Sequence, residues 1–272
     1  MPGFREGTYR DLDVPATLDY MGRRYVAPIR QRADISRSVL ADGASGFGWL
    51  SFAYLLSGGR RAILIDRDEL RLKAAEEIAK ILGLRDRCEF VCELLQSTSL
   101  AEDSVDFFAC IETLEHVGRP HIRASVKSIT RAARSIVIVT TPNCIFPVIS
   151  HDTRLPFAHW LPHRLRHCYA VLCGRAALET GNDFLGPWDL APLKPKFRPD
   201  SAFHTFSTHA EYLSFHPHYT PYGTVASARL KTAPSFWRRN FVRLLGTLLR
   251  KRAYLLSANL ASVWIRDPRR TG

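Results

Sequence analysis

Residues 38–56 read SVLADGASGFGWLSFAYLL. The run Ser38–Ala41 is typical of a short buried strand, and Trp49–Leu56 has the composition of a helix. Between them lies a turn of small residues. Because Gly46 and Gly48 have no Cβ atom, the backbone can bend sharply there and a ligand can approach its amide groups. The sequence therefore predicts a strand, a loop and a helix that hold a cofactor against the backbone.

Further strands and helices follow the same alternation. Apolar runs predict strands over Ala62–Ile65, Cys88–Cys92, Val105–Ile111 and Ile136–Thr140. The segment from Asp68 to Leu82 has a strongly amphipathic helical pattern, and Gly83 is placed to end that helix. Strands that alternate with helices indicate a parallel sheet covered on both faces. We therefore predict an α/β fold: a Rossmann-like, mostly parallel sheet with helices on both faces and an irregular cap after the fifth strand.

Four segments make up what we predict to be one integrated domain. Residues 1–36 are polar and weakly periodic and form an N-terminal leader or cap, while residues 37–143 form the Rossmann-like core. Residues 144–235 hold most of the prolines and histidines. They predict an acceptor-binding cap over the carboxyl ends of the strands, where ligands bind in open α/β sheets. Residues 236–272 predict a basic amphipathic helix and a closing strand near 260–265.

The composition is that of an ordinary soluble globular protein. The chain has 272 residues, of which 46% are hydrophobic and 24% charged, and this excludes a disordered chain. No apolar run approaches the roughly 18 residues that a membrane-spanning helix needs, and the first fifteen residues lack the apolar centre of a secretory signal. The six cysteines lack paired C-x-x-C spacing. We therefore expect a cytoplasmic protein with reduced thiols and no metal site.

The net charge of +12 is concentrated at the end of the chain. From Arg229 onward there are eleven basic residues and one acid, Asp267. A helical pattern over 236–256 places Trp237, Phe241, Leu244, Leu245, Leu248 and Leu249 on one face, with Arg239, Arg243 and Arg250 opposite. This face could pack on the sheet, form a homodimer contact or lie on a membrane surface. Nucleic-acid binding is disfavoured because basic and aromatic residues do not alternate as in RNA-binding modules.

Acidic residues follow successive predicted strands. Asp42 and Asp66 end the first two strands, and Glu93 follows the third. A dinucleotide site would need a third glycine where Ser51 stands, and Asp42 would repel a diphosphate. Both features weigh against a dinucleotide oxidoreductase and favour a cationic ligand.

Over residues 36–143 the sequence resembles the class I S-adenosylmethionine-dependent methyltransferases. The family's acid-x-Gly-x-Gly-x-Gly motif is similar to Asp42–Gly48, with Ala44 in place of the first glycine. Leu114-Glu115-His116-Val117 resembles a signature that follows the family's fourth strand, and Thr141-Pro142-Asn143 resembles the end of its fifth. The resemblance implies S-adenosylmethionine as cofactor, with Asp66 on the ribose and Glu93 on the adenine amino group. The full set of cofactor-binding residues implied or predicted is Asp42, Gly43, Ala44, Ser45, Gly46, Gly48, Asp66, Arg67, Glu93, Leu94 and Glu112.

Methyl transfer is an in-line displacement in which alignment is the main contribution of the protein. A hydroxyl acceptor is a poor nucleophile, so a general base helps by about 10²–10⁴-fold. The candidates are His116, shortly after the fourth strand, and His151, Asp152 and His159 in the cap. We predict biosynthetic O-methylation of a hydroxyl on a sugar, glycolipid or secondary-metabolite acceptor.

Two alternatives stay open at this point. An amine acceptor needs only to be held deprotonated, so N-methylation of a small amine is the nearest one. The other is a non-catalytic protein of the same fold that binds membrane or nucleic acid through its basic C-terminal segment. Peripheral membrane contact through residues 236–256 is compatible with both an enzyme and a binding protein.

Overall fold

A seven-stranded sheet forms the centre of the protein in a computed structural model, which describes residues 12–149, 153–175, 182–215 and 235–270. The strands are β1 (Val39–Gly43), β2 (Arg61–Asp66), β3 (Cys88–Cys92), β4 (Val105–Ile111), β5 (Ala133–Thr140), β6 (Phe197–Pro199) and β7 (Ser262–Arg266). Their order across the sheet is β3-β2-β1-β4-β5-β7-β6. Strands β1 to β5 are parallel, whereas β7 is antiparallel to β5 and β6 is antiparallel to β7. The predicted Rossmann-like fold class is thus confirmed.

Eight helices of the described ranges surround this sheet. They are α1 (Val14–Met21), α2 (Ala27–Arg30), α3 (Trp49–Leu56), α4 (Glu69–Ile81), α5 (Arg119–Ala132), α6 (His163–Leu172), α7 (His209–Phe215) and α8 (Phe236–Leu249). A π-helical turn, Gly22–Val26, joins α1 to α2. A 3-10 helix, Arg250–Leu256, continues α8. None of the described helices has the length and apolar character needed to cross a membrane.

Successive residues of the central strands supply two hydrophobic cores. Leu40 and Phe107 face a core that contains α1, α3 and α4, whereas Ala41 and Phe108 face the opposite core with α5. This alternation follows from the two-residue period of a strand. Because both faces are covered, β1, β2, β4 and β5 are buried along most of their length, whereas the edge strand β3 is only partly buried.

Most predicted elements agree with the structure, but several boundaries were wrong. The first strand begins at residue 39 and continues to Gly43, and the fifth begins at Ala133. The segment 144–235 is not wholly irregular, because β6 within it joins the sheet. The predicted helix over 236–256 changes to a 3-10 helix after Leu249.

The proposed single apolar face of that last helix was also wrong. Leu245 is buried and Leu249 is partly buried in the core, whereas Trp237, Phe241, Leu244 and Leu248 are exposed. At 100° per residue, the two sets lie on different sides of α8.

Candidate functional site

The loop after β1 has the backbone conformation that its small residues predicted. Ala44, Gly46 and Gly48 have φ angles of 56°, 55° and 80°. A Cβ atom on Gly48 would stand 2.6 Å from Leu64 Cδ2 and 2.9 Å from Phe52 Cζ. Glycine is therefore required there both by the backbone and by the close approach of α3 to β2. At Gly46, in contrast, a Cβ atom would meet nothing within 4 Å, so the middle of the loop has open space beside it.

The carboxylate of Asp66 holds this loop in place from the end of β2. Its Oδ2 accepts a hydrogen bond from the Gly46 N–H at 2.8 Å, and its Oδ1 accepts one from the Asp68 N–H at 2.9 Å. Asp66 is almost fully buried. A carboxylate has about four acceptor sites, so two protein hydrogen bonds leave capacity for the hydroxyls of a ribose.

Asp42 lies beneath the loop and is bonded to the helix that follows it. Ser51 Oγ donates to Asp42 Oδ2 at 2.8 Å, and both side chains are buried. Burial raises the pKa of Asp42 to about 7, although the hydrogen bonds from Ser51 oppose the rise. The serine that breaks the dinucleotide pattern is thus the partner of the motif's own acid.

Glu93 and its neighbours lie at the far end of this row of strand ends. The Glu93 N–H donates to the Asp66 carbonyl oxygen at 3.1 Å, which brings Glu93 next to the ribose acid. Glu93 Oε2 accepts from the Ser99 N–H at 2.8 Å, and hydrogen bonds from Ser99 lower the pKa of Glu93. Arg67 and Leu94 are both exposed beside it. The structure therefore brings the residues predicted to bind adenosine to one edge of the sheet.

The segment after β4 places two glutamates and a histidine in different environments. Glu112 has a φ of 47°, and its Oε1 accepts from Asn259 Nδ2 at 3.1 Å. Glu115 is buried and accepts a hydrogen bond from Thr141 Oγ1 at 3.0 Å. Burial, with a smaller contribution from the charge of Glu112, raises the pKa of Glu115 to about 8. His116 is exposed in the same 3-10 turn.

Three residues of the N-terminal segment form a cluster near this site, and the sequence analysis missed them. Arg24 and Tyr25 lie on the π-helical turn, a feature often found at functional sites. Arg24 Nε donates to Tyr25 Oη at 3.0 Å, and the guanidinium lies 5.8 Å and 5.5 Å from the ring centroids of Tyr20 and Tyr25. Burial raises the pKa of both tyrosines.

The charge of Glu112 also acts on each of these three residues, so the cluster lies near the end of β4. No sequence signal marked Tyr20, Arg24 or Tyr25, because they stand far from the motifs in the chain.

A cleft of about 490 Å³ lies beyond the ends of β4 and β5. Its lining combines aromatic, charged and amide side chains: His159, Trp160, Arg166, Asn182, Asp183, Phe184 and Trp188, with Cys144 and Ile145. The Asp183 N–H donates to the Glu115 carbonyl oxygen at 2.9 Å, which joins the cleft to the segment after β4. The adenosine edge formed by β1 to β3 and this cleft therefore lie on opposite sides of the β4 end.

His159 is fixed within this cleft by the backbone after β5. His159 Nε2 lies 2.9 Å from the Cys144 carbonyl oxygen, and Trp160 Nε1 donates to the same oxygen at 2.6 Å. Since a carbonyl oxygen can only accept, the contact assigns the ring proton to Nε2 and makes Nδ1 the proton-accepting nitrogen. His151 and Asp152, the other two predicted candidates in the cap, lie outside the described residues.

Two further expectations concern metals and thiols. In the described ranges, no group of three or more His, Cys, Asp or Glu side chains is arranged to hold a metal ion. All six cysteines are free.

Comparison with known proteins identifies the class of this fold. A family model described as a methyltransferase domain matches residues 40–135. The PH0226 protein from Pyrococcus horikoshii OT3 has the same fold, with a TM-score of 0.52 and 16% identity over 74% of this chain and 92% of that one.

Two further solved structures match a smaller share of the chain. The YcgJ protein from Bacillus subtilis has a TM-score of 0.40 and 16% identity over 46% of this chain and 51% of that one. An S-adenosylmethionine-dependent methyltransferase from Methanosarcina mazei has a TM-score of 0.38 and 23% identity over 42% and 57%. The matched part thus spans about half the length of these two structures. No curated protein sequence matches the chain.

Residues 40–135 form a methyltransferase domain, consistent with the class I S-adenosylmethionine-dependent family. The predicted family resemblance is confirmed, and S-adenosylmethionine is the cofactor of this enzyme domain. The residues present fit that group, because the loop has open space at Gly46 and the buried Asp66 carboxylate retains acceptor capacity. The individual site residues stay predictions.

Proposed function

We propose that the protein transfers a methyl group to a hydroxyl oxygen of a sugar, glycolipid or secondary-metabolite acceptor held in the His159 cleft. When bound, S-adenosylmethionine supplies a methyl group on a cationic sulfur. The observation that carries the proposal is the position of the cleft beyond the ends of β4 and β5, on the other side of the β4 end from the loop predicted to hold the cofactor. A donor and an acceptor on the two sides of one strand end can approach each other in line.

The lining of the cleft favours a polyhydroxylated or aromatic acceptor. Trp160 and Trp188 are each more than half exposed and offer flat apolar surfaces. Asn182, Asp183 and Arg166 add hydrogen-bonding groups between them. Small-molecule sites commonly combine aromatic walls with a few polar groups that fix the orientation of the ligand.

His159 is the proposed general base in this arrangement. Its Nε2 contacts the Cys144 carbonyl oxygen, which holds the imidazole ring in the lining of the cleft. The loop and Asp66 would align the cofactor with the acceptor, and the cap would exclude water from the cleft. His116, His151 and Asp152 remain rival candidates for the base.

The experiment uses S-adenosylmethionine that carries a ¹³C-methyl group and a panel of methyl glycosides, phenols and amines. The ¹³C chemical shift of the product distinguishes an O-methyl from an N-methyl group. The proposal expects O-methyl products. N-methyl products alone would replace it with the amine alternative, and binding of the cofactor without any product from the panel would contradict the proposed acceptor classes.

Variants then rank the four candidate bases. His159→Gln is expected to lower turnover by about 10²-fold or more while the affinity for S-adenosylhomocysteine stays unchanged. His167→Gln, on the exposed side of α6, is the matched control. If turnover falls strongly in His116→Gln, His151→Gln or Asp152→Asn but not in His159→Gln, the base is the residue whose replacement lowers turnover.

A further inference from the structure

Helix α8 has an exposed apolar stripe that is separate from the face with which it packs on the protein. Trp237, Phe241, Leu244 and Leu248 are 80%, 46%, 55% and 69% exposed. Their spacing of four, three and four residues keeps them within an arc of about 60° at 100° per residue. Val242 and Leu245, in contrast, are buried at 3% and 6% exposure. An apolar stripe of this kind costs free energy in water and commonly marks an interaction surface.

The helix is held firmly on the protein, so the stripe is displayed in a fixed direction. A Cβ atom on Gly246 would stand 2.7 Å from His209 Nδ1, which shows how closely α8 approaches α7. Val242 and Leu245 belong to the same core as Phe215 and Tyr20, whose rings lie 5.6 Å apart. The stripe is therefore a feature of the folded body and not of a loose tail.

Positive charge accompanies the stripe. Arg239 and Arg243 are exposed on another side of α8, and Arg250 and Arg252 are exposed where the helix continues, next to Lys251, which is paired with Asp200. Residues 235–266 contain no aspartate or glutamate. An amphipathic helix with tryptophan, phenylalanine and leucine on one face and arginine on another is the pattern of helices that lie in a membrane interface.

We infer that α8 docks the protein on an anionic lipid surface, with the stripe among the acyl chains and the arginines toward the headgroups. A stripe one helix wide and about 16 Å long is much smaller than the roughly 800 Å² per partner of a stable protein interface. The small area of the stripe thus disfavours a second copy of the chain as its binding partner. The positive charge of the helix favours anionic over neutral lipids, because each basic residue near an anionic surface strengthens the attraction.

The test is flotation of the full chain with vesicles of phosphatidylcholine alone or mixed with phosphatidylglycerol. The double variant Trp237→Ser/Phe241→Ser removes half of the stripe, and Asn240→Ser/Thr247→Ser is the matched control on the polar side of the same helix. The unchanged protein and the control are expected to float with the anionic vesicles. The stripe variant, and all proteins with phosphatidylcholine alone, are expected to bind at least tenfold more weakly.

A second pair of measurements separates this inference from the proposed function and from misfolding. Titration with S-adenosylhomocysteine checks that each variant is folded, and it is expected to give the same affinity for all. Sedimentation measures the oligomeric state without vesicles. The inference is overturned if flotation is insensitive to the stripe variant. It is equally overturned if no protein floats while a dimer forms that the stripe variant loses.

Discussion

Asp66 and Gly46 are joined by a hydrogen bond from the Gly46 N–H to Asp66 Oδ2 at 2.8 Å. This bond links the end of β2 to the loop after β1, twenty residues earlier in the chain. The acid that the family motif assigns to the ribose therefore also shapes the loop that is predicted to receive the rest of the cofactor. Loss of Asp66 should consequently affect both cofactor affinity and stability.

The first prediction concerns Asp66→Asn. One of the two backbone N–H groups would then face an amide NH₂, so one charge-assisted bond is lost, at a cost of about 1.5–3 kcal/mol. We expect calorimetric titration with S-adenosylhomocysteine to show at least tenfold weaker binding. Asp68→Asn is the control, because asparagine still caps α4 and affinity should not change. Equal affinity of Asp66→Asn and the unchanged protein would remove Asp66 from the cofactor site.

The second prediction compares two glycines with positive φ angles. Both Gly48→Ala and Gly83→Ala place a Cβ atom in a left-handed conformation, which costs about 1–2 kcal/mol. At Gly48 the new atom also meets Leu64 and Phe52, whereas at Gly83 it meets nothing within 4 Å. Overpacking adds about 1–3 kcal/mol, so urea unfolding should show the larger loss for Gly48→Ala. Equal losses would mean that α3 can move away from β2.

The sequence predicted the core of the fold because its signals are local. The strands Cys88–Cys92 and Val105–Ile111 and the helix Trp49–Leu56 have the predicted bounds, since each is a short apolar run between turn residues. Strand β6 was missed because Phe197–Pro199 is three residues long and contains a proline. Its pairing with β7 depends on residues more than sixty positions away, which no local pattern records.

The same difference between local patterns and long-range contacts applies to the residues of the candidate site. Asp42 and Asp66 were predicted because a strand end and a glycine-rich loop mark them in the chain. The charge of Glu112 acts on Arg24 only through the packing of α1 and the π-helical turn, so no local pattern pairs the two residues. The split of α8 into a buried and an exposed apolar side likewise depends on where α7 packs.

The third prediction concerns the ion pair between Arg32 and Asp200. Arg32 Nε lies 2.8 Å from Asp200 Oδ2 with both side chains largely buried, and Lys251 also contacts this carboxylate. Burial alone would raise the pKa of Asp200, but the hydrogen bonds from Lys251 and Arg32 outweigh it and hold that pKa below its usual range. Asp200→Asn should cost about 2–4 kcal/mol of unfolding free energy at pH 7.

The pH dependence gives the sign of this effect. A carboxylate with a lowered native pKa stabilises the fold above its unfolded pKa, and this contribution is lost as the pH falls through the native value. The penalty of Asp200→Asn should therefore shrink between pH 5 and pH 3 in urea unfolding. Asp19→Asn, which breaks an exposed pair with Arg23, should cost under about 1 kcal/mol. The ion pair between Arg32 and Asp200 would be contradicted if Asp200→Asn cost as little unfolding free energy as Asp19→Asn. It would also be contradicted if this cost did not change with pH.

The fourth prediction concerns Glu115, for which the sign is reversed. Burial raises the pKa of Glu115 to about 8, above the value of about 4.3 expected in the unfolded chain. The native state therefore holds a proton that the unfolded state releases between these two values, and stability falls as the pH rises through this window. Glu115→Gln has no such proton. The unfolding free energy of this variant relative to the unchanged protein should thus rise with pH, by up to about 1.4 kcal/mol per pH unit, and level off above about pH 8.

Urea unfolding at intervals from pH 5 to pH 9 measures this difference directly. Glu77→Gln, on the exposed face of α4, is the control and should give a difference that does not depend on pH. Asp42, whose pKa burial raises to about 7, titrates in both the variant and the unchanged protein, so its contribution cancels. A flat difference for Glu115→Gln would mean that water reaches Glu115 at the end of β4.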